Sequence, residues 1–147
     1  MNSSNPSPQS LPAQVSIPYK YQLTLLIDDN YIDNFINKLL LEASNISQKN
    51  YVATNGQLAL NLIEQLSSES VEPLFPDLML VDLNMPVMDG LEFIREFRKL
   101  HHAELKNCKI VVLTSSIHDN DRKNIYSLDP TIVFSNKPLS LVFLNSL

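Results

Sequence analysis

From Leu23 onward, short and almost continuously apolar runs alternate with stretches whose apolar residues recur every three or four positions. This alternation constrains the fold more than any other feature. The runs cover 23–27, 51–53, 78–81, 110–113 and 131–134. A strand that is apolar on both sides is buried on both sides, the condition of a parallel sheet held between two helical layers. Between the first two runs, Ile32, Phe35, Ile36, Leu39, Leu40 and Ala43 form the longest stripe at helical spacing. Ala59, Leu62, Ile63 and Leu66 repeat the pattern after Gly56, and Phe93, Ile94, Phe97 and Leu100 repeat it after Gly90. A fourth helix over 121–128 offers little beyond Ile125 and Leu128 and is expected to be weakly anchored; a fifth over 139–147 is short and uncharged, and needs tertiary packing to persist. The predicted class is α/β: a doubly wound, five-stranded parallel sheet of order 2-1-3-4-5, a flavodoxin-like three-layer sandwich. The pattern by itself leaves other open α/β orders available.

Composition bounds the rest. A chain of 147 residues, 44% hydrophobic, builds one sizeable core. Residues 1–21 carry Pro6, Pro8, Pro12 and Pro18 among Ser, Asn and Gln, too little apolar content to offset the entropy of ordering, so a flexible tail is expected there and one domain over 22–147. A net charge of -5 disfavours nucleic acid as a direct partner. The single cysteine, Cys108, cannot close an internal disulfide and reads as a small buried apolar residue. No apolar stretch reaches the roughly 20 residues of a membrane helix, and the first residues lack a signal-peptide pattern, so a cytoplasmic location and no membrane partner are expected.

The polar residues at the carboxyl ends of the strands are Asp28 and Asp29, then Asp82, then Thr114, then Lys137. In the predicted order the first and third strands are neighbours, so three carboxylates meet where their repulsion is costly unless a divalent cation joins them. Hard oxygen ligands suit Mg²⁺, and no Cys/His cluster supports a softer metal. Each residue also has an ordinary explanation. Asp28, Asp29 and Asn30 can cap a helix, Asp82 can precede a turn at Pro86, Thr114 can start a helix, Lys137 can be a solvated lysine and Phe134 can fill core. Their convergence at the strand ends of a single fold favours the site.

Four segments carry a family likeness: LLIDDN with the acidic pair, LVDLNMPVMDG over 80–90, VLTSS over 112–116, and the Lys137-Pro138 pair. In this order and spacing the chain resembles a receiver domain of two-component response regulators. The resemblance implies that Asp82 accepts a phosphoryl group and that Mg²⁺ is held by Asp29, by Asp28 through water, by Asp82 and by the backbone carbonyl of Asn84. It further implies that Thr114 and Lys137 contact the phosphoryl group and that Pro138 follows a cis peptide. Thr114 and Phe134 form its switch pair, Phe134 acting through packing because it lacks a tyrosine's hydroxyl. Asn84 and Ser116 stand where the family tunes the lifetime of the phosphorylated state. The implied donor is a histidine kinase or a histidine phosphotransfer protein, and the implied output is contact with a downstream protein target in a phosphorelay. The chain itself would be no enzyme beyond its own phosphorylation and dephosphorylation. The uncharged stretch 138–147 is shorter than the family's last helix and suggests contact with a partner or with a second copy as a homodimer. Rival readings are a receiver-like binding module that is never phosphorylated, an aspartyl-phosphate phosphatase and a flavin carrier. Asn84 stands where the phosphatase class has its second aspartate, and Asp28-Asp29-Asn30 would repel a flavin phosphate.

Overall fold

A computed structural model describes residues 3–4, 18–69, 71–101, 103–115 and 118–147; most of the expected tail 1–21, and Ser116, lie outside the described residues, while Tyr21, expected in the tail, is the buried first residue of a strand. The elements are β1 (Tyr21–Ile27), α1 (Tyr31–Ser44), β2 (Ser47–Ala53), α2 (Gly56–Ser67), β3 (Leu78–Asp82), α3 (Gly90–Leu100), β4 (Lys109–Thr114), α4 (Asp119–Leu128), β5 (Val133–Asn136) and α5 (Leu141–Ser146), with a 3₁₀ turn at Glu104–Asn107. All strand pairs are parallel, as the apolar runs predict, and of the open orders that the pattern allows the sheet has the expected one, β2-β1-β3-β4-β5.

Side chains alternate along each strand, so the sheet feeds two cores. On one side Leu25, Ile27, Met79, Val81, Ile110 and Val112 pack with Ala59, Ile63, Phe93, Ile94, Phe97 and Ile125 from α2, α3 and α4. On the other, Leu26, Leu78, Leu80, Val111 and Leu113 pack with Leu41 of α1 and with Leu139, Leu144 and Leu147 at the carboxyl end. Cys108 is buried at the margin of the first core.

Several expectations need correction. The stripe on α1 does not face the core: Ile32, Phe35, Ile36 and Leu39 are exposed, and the buried residues of this helix are Asn34, Asn37 and Leu41. Polar bonds at its start set its rotation. Asn30 caps the helix by accepting from the backbone N–H groups of Ile32 and Asp33, and Asn34 Nδ2 donates to the carbonyl of Asp28 at 2.6 Å. Leu100, placed on the inner stripe of α3, is also exposed. Strand β2 begins at Ser47, earlier than its apolar residues indicate, because it is an edge strand whose Gln48 and Lys49 face solvent. Strand β5 covers 133–136 and not 131–134, since Asp129 captures both the N–H and the hydroxyl of Thr131 in a turn. Helix α5 is shorter than the predicted 139–147, starting at Leu141 with Ser140 as its cap.

Candidate functional site

The strand register builds the site. Ile27 pairs with Val81, so Asp28, the first residue past β1, comes beside Asp82, the last residue of β3. Asp28, Asp29 and Asp82 each offer a carboxylate oxygen, and these oxygens lie within 4.8 Å of one another. Asp28 and Asp82 are buried and Asp29 is exposed. The Asp82 carboxyl is pushed up to about 6, first by burial and then by repulsion from Asp28, against the pull of Lys137. Hard, oxygen-only, mutually repelling and partly desolvated ligands are the donor set that suits Mg²⁺, so the residues present fit the ion. Receiver domains bind Mg²⁺ at an acidic pocket of this kind.

Lys137, immediately after β5, supplies the opposing charge. Its Nζ lies 2.6 Å from Asp28 Oδ2, 2.9 Å from Asp33 Oδ2 and 3.6 Å from Asp82 Oδ1. The first two are hydrogen bonds; the third is an ion pair too long to be one. Burial pulls the ammonium's pKa down, but the bonds it donates to Asp28 and Asp33 outweigh that and hold the group above the usual lysine range. The Lys137–Pro138 peptide is cis, and the backbone N–H of Lys137 donates to the carbonyl of Thr114 at 3.0 Å. Thr114 ends β4 one position past Leu113, the partner of Asp82, and is fully buried.

The loop after Asp82 is tightly specified. Met88 N–H donates to Pro86 O at 2.8 Å around Val87, whose φ of 67° is left-handed, a γ-turn that costs strain in a β-branched residue. Two further bonds pin this loop: Gly56 N–H donates to Met88 O and Gly90 N–H donates to Leu83 O, both at 3.0 Å. A Cβ at Gly90 would collide with the carbonyl of Asp82 and lie 2.9 Å from Leu83 Cα, so only glycine lets α3 start this close to the acceptor strand. The side chain of Asn84 is exposed in the same loop. Phe134, opposite Val112 on β4, is half-buried, with the Tyr126 ring edge-on at 5.1 Å and the Arg122 guanidinium 5.0 Å from its centroid. His101 ends α3 against Phe75 and Phe97, and His118 precedes α4 without a side-chain cap bond.

Asp33 is the site residue that sequence reasoning missed. In the first turn of a helix an aspartate is explained well enough by the helix dipole. The available signal was that α1 opens straight from the acidic pair, so its first inward-turned residues must border the pocket. A groove lined by Lys20, Asp77, Arg98, Lys106 and Lys109 lies at the opposite end of the strands, away from this cluster.

Residues 24–140 match the response regulator receiver domain family. The response regulator Rcp1 of Synechocystis is 30% identical over 107 residues, which is 73% of this chain and 71% of that one. Among solved structures, a two-component response regulator from Cytophaga hutchinsonii superposes with a TM-score of 0.73 at 28% identity, covering 86% of this chain and 92% of that one. The phosphorylated cyanobacterial phytochrome response regulator RcpA gives 0.68 at 28% identity, covering 86% and 87%. By sequence match and by fold, the chain belongs to the response regulator receiver family.

Proposed function

We propose that this chain is a phosphorylation switch in which Asp82 accepts a phosphoryl group from a phosphohistidine on a kinase or phosphotransfer protein. The observation that carries the reading is the meeting of Asp28, Asp29 and Asp82 within 4.8 Å, faced by the Lys137 ammonium. Three acids, two of them buried, faced by one lysine are poorly compensated as they stand and well compensated once a cation is present. Asp28, Asp29, Asp82 and the Asn84 carbonyl would hold Mg²⁺, which supplies neutralising charge for the phosphoryl oxygens.

The remaining chemistry belongs to the chain. In transfer, an Asp82 carboxylate oxygen forms the new P–O bond as the P–N bond to the donor imidazole breaks, and the imidazole leaves neutral because its other ring nitrogen has taken a proton from solvent. Only ionised Asp82 can attack, and with its carboxyl raised to about 6 that form prevails at neutral pH and is depleted as the medium becomes acid. Transfer of this kind depends mainly on alignment and charge neutralisation. Lys137 neutralises, and the Thr114 hydroxyl would donate to a phosphoryl oxygen. Phe134 lacks a hydroxyl, so a change there acts through its contacts with Tyr126 and Arg122.

Receiver domains interact with histidine kinases or phosphotransfer proteins. A protein whose histidine reaches Asp82 has to rest on the rim of the pocket. The exposed apolar residues of α1, beginning at Tyr31 just after the acidic pair, support such a contact. Output passes through protein contacts in a phosphorelay. Self-association through the carboxyl end has little to use, because Leu139, Leu144 and Leu147 are in the core and Leu141 and Val142 remain exposed. No helix of the described residues is long and apolar enough to cross a membrane.

The test is incubation with a small phosphodonor and Mg²⁺ followed by intact-mass measurement of wild type and Asp82→Asn. One hydroxylamine-labile phosphoryl adduct, absent from the variant, is the expected result. Equal labelling of both proteins rejects Asp82 as the acceptor, and no labelling of either favours a receiver-like module that works without phosphorylation.

A further inference from the structure

We propose that Asp33 is a positioning residue for Lys137: it holds the ammonium on the α1 side of the pocket and competes with the phosphorylated acceptor for it. This rests on the function proposed above.

A lysine ammonium has three N–H donors. Here the two short contacts go to Asp28 and Asp33, at 2.6 and 2.9 Å, while Asp82, the residue whose charge changes in the reaction, is the most distant of the three at 3.6 Å. The resting lysine is therefore bonded away from the acceptor. Asp33 differs from its two companions in one respect. Asp28 and Asp82 belong to the cluster whose oxygens converge on a cation site, and Asp33 does not. When a cation engages that cluster, Asp33 keeps an uncommitted carboxylate beside Lys137. A phosphoryl dianion on Asp82 must then draw the lysine across the pocket against Asp33.

Asp33 is placed for this by its helix. The Asn30 side chain accepts from the N–H groups of both Ile32 and Asp33, fixing the first turn, and the bond from Asn34 Nδ2 to the Asp28 carbonyl ties the next residue to the strand end carrying the acidic pair. The simpler explanation is that Asp33 only complements the positive end of the helix. That explanation accounts for an acid in the first turn but not for a hydrogen bond to a residue 104 positions away whose side chain is only 18% exposed. Partial desolvation also separates this contact from an ordinary surface pair, whose partners are both in water.

The test is binding of beryllium fluoride, a phosphoryl mimic, at saturating Mg²⁺, by titration calorimetry on the full chain. Asp33→Asn removes the charge and keeps the shape. It is expected to bind the mimic about fivefold tighter, the scale of a partly exposed ion pair. Mg²⁺ affinity measured alone should shift less than about twofold, because Asp33 is outside the cluster. Asp33→Glu, which restores the charge, should return mimic affinity towards wild type. In a Lys137→Ala background, Asp33→Asn should have no effect on the mimic, since the lysine through which it acts is gone. Unchanged or weaker mimic binding by Asp33→Asn overturns the proposal, as does an equal gain in the Lys137→Ala background. A gain in Mg²⁺ affinity as large as the gain in mimic affinity also overturns it, because a general change in the charge of the pocket would do that. Circular dichroism and urea unfolding of each variant identify misfolding; should Asp33→Asn misfold, Asp33→Ser, which also removes the charge, carries the test with the same expected gain. Failure of the parent reading looks different: wild type and Asp82→Asn would bind the mimic equally.

Discussion

Helix α1 exposes Ile32, Phe35, Ile36 and Leu39 to 63, 56, 45 and 50% of their surface, whereas Phe93, Ile94 and Phe97 of α3 are exposed by 0, 1 and 0%. Both helices carry apolar residues at the same period, and both begin beside the acceptor strand. They differ in what anchors the first turn. Helix α3 is capped by Asp89, whose side chain bonds only the backbone N–H of Glu92, and it opens on Gly90, so no polar side chain of its first turn is drawn inward and its aromatic face packs into the core. Helix α1 starts with Asn30, Asp33 and Asn34, whose bonds to backbone and to Lys137 turn a polar edge inward and leave the apolar stripe outside. A periodic stripe thus reports that a helix has a face. Which way the face points depends on the strongest polar commitments at its end.

The contrast can be broken at its buried side first. Phe97→Ala should cost about 3–5 kcal/mol in urea unfolding, the range for emptying a buried aromatic site; a loss under about 1 kcal/mol would mean that the α3 face is not the packed one. The ground between the two helix starts gives a second, smaller effect. The Asp82 carboxyl, ordinarily at 3.8, stands at about 6 in the folded chain, so its charged form opposes folding. That penalty is fully present above about pH 6 and fades as the pH falls towards 3.8, because the folded state takes up the proton first. In metal-free buffer Asp82→Asn should therefore raise stability by about 1–2 kcal/mol at neutral pH and by progressively less towards pH 4, checked by denaturant unfolding across that range. A gain that grew on acidification would contradict the burial and repulsion assigned to this residue. The smallest change in stability belongs to α1. Ile32→Ser combined with Phe35→Ser should shift it by no more than about 0.5 kcal/mol. The same pair should slow phosphotransfer from a histidine donor protein while leaving labelling by a small phosphodonor unchanged. Unfolding of the double variant would place the stripe in the core after all.

Much of the architecture is legible because the central strands β1, β3 and β4 are apolar on both sides and cannot be mistaken for surface. The edges are less readable. Residues 47–50 of β2 look like loop because an edge strand need not hide its polar side chains, and β5 slides two positions because Asp129 claims Thr131 for a turn. Within the candidate site, Asp28, Asp29, Asp82, Thr114 and Lys137 can be found from the strand ends alone, since a doubly wound sheet gathers those ends in one crevice. Asp33 cannot be found that way. It comes from a helix, and its partner is defined only once the chain has folded back from Lys137.

The far side of the sheet bears on how a signal could leave. Ile125 is the buried residue of α4, Leu128 packs half-buried against the same core, and Tyr126 and Arg122 rest on Phe134. Contacts of this number can be exchanged for others at little energetic loss. On the proposed function, a segment so lightly moored would act as a weathervane: a small push on Phe134 would re-aim a patch of surface, while the deeply keyed α3 beside it would stay where it is.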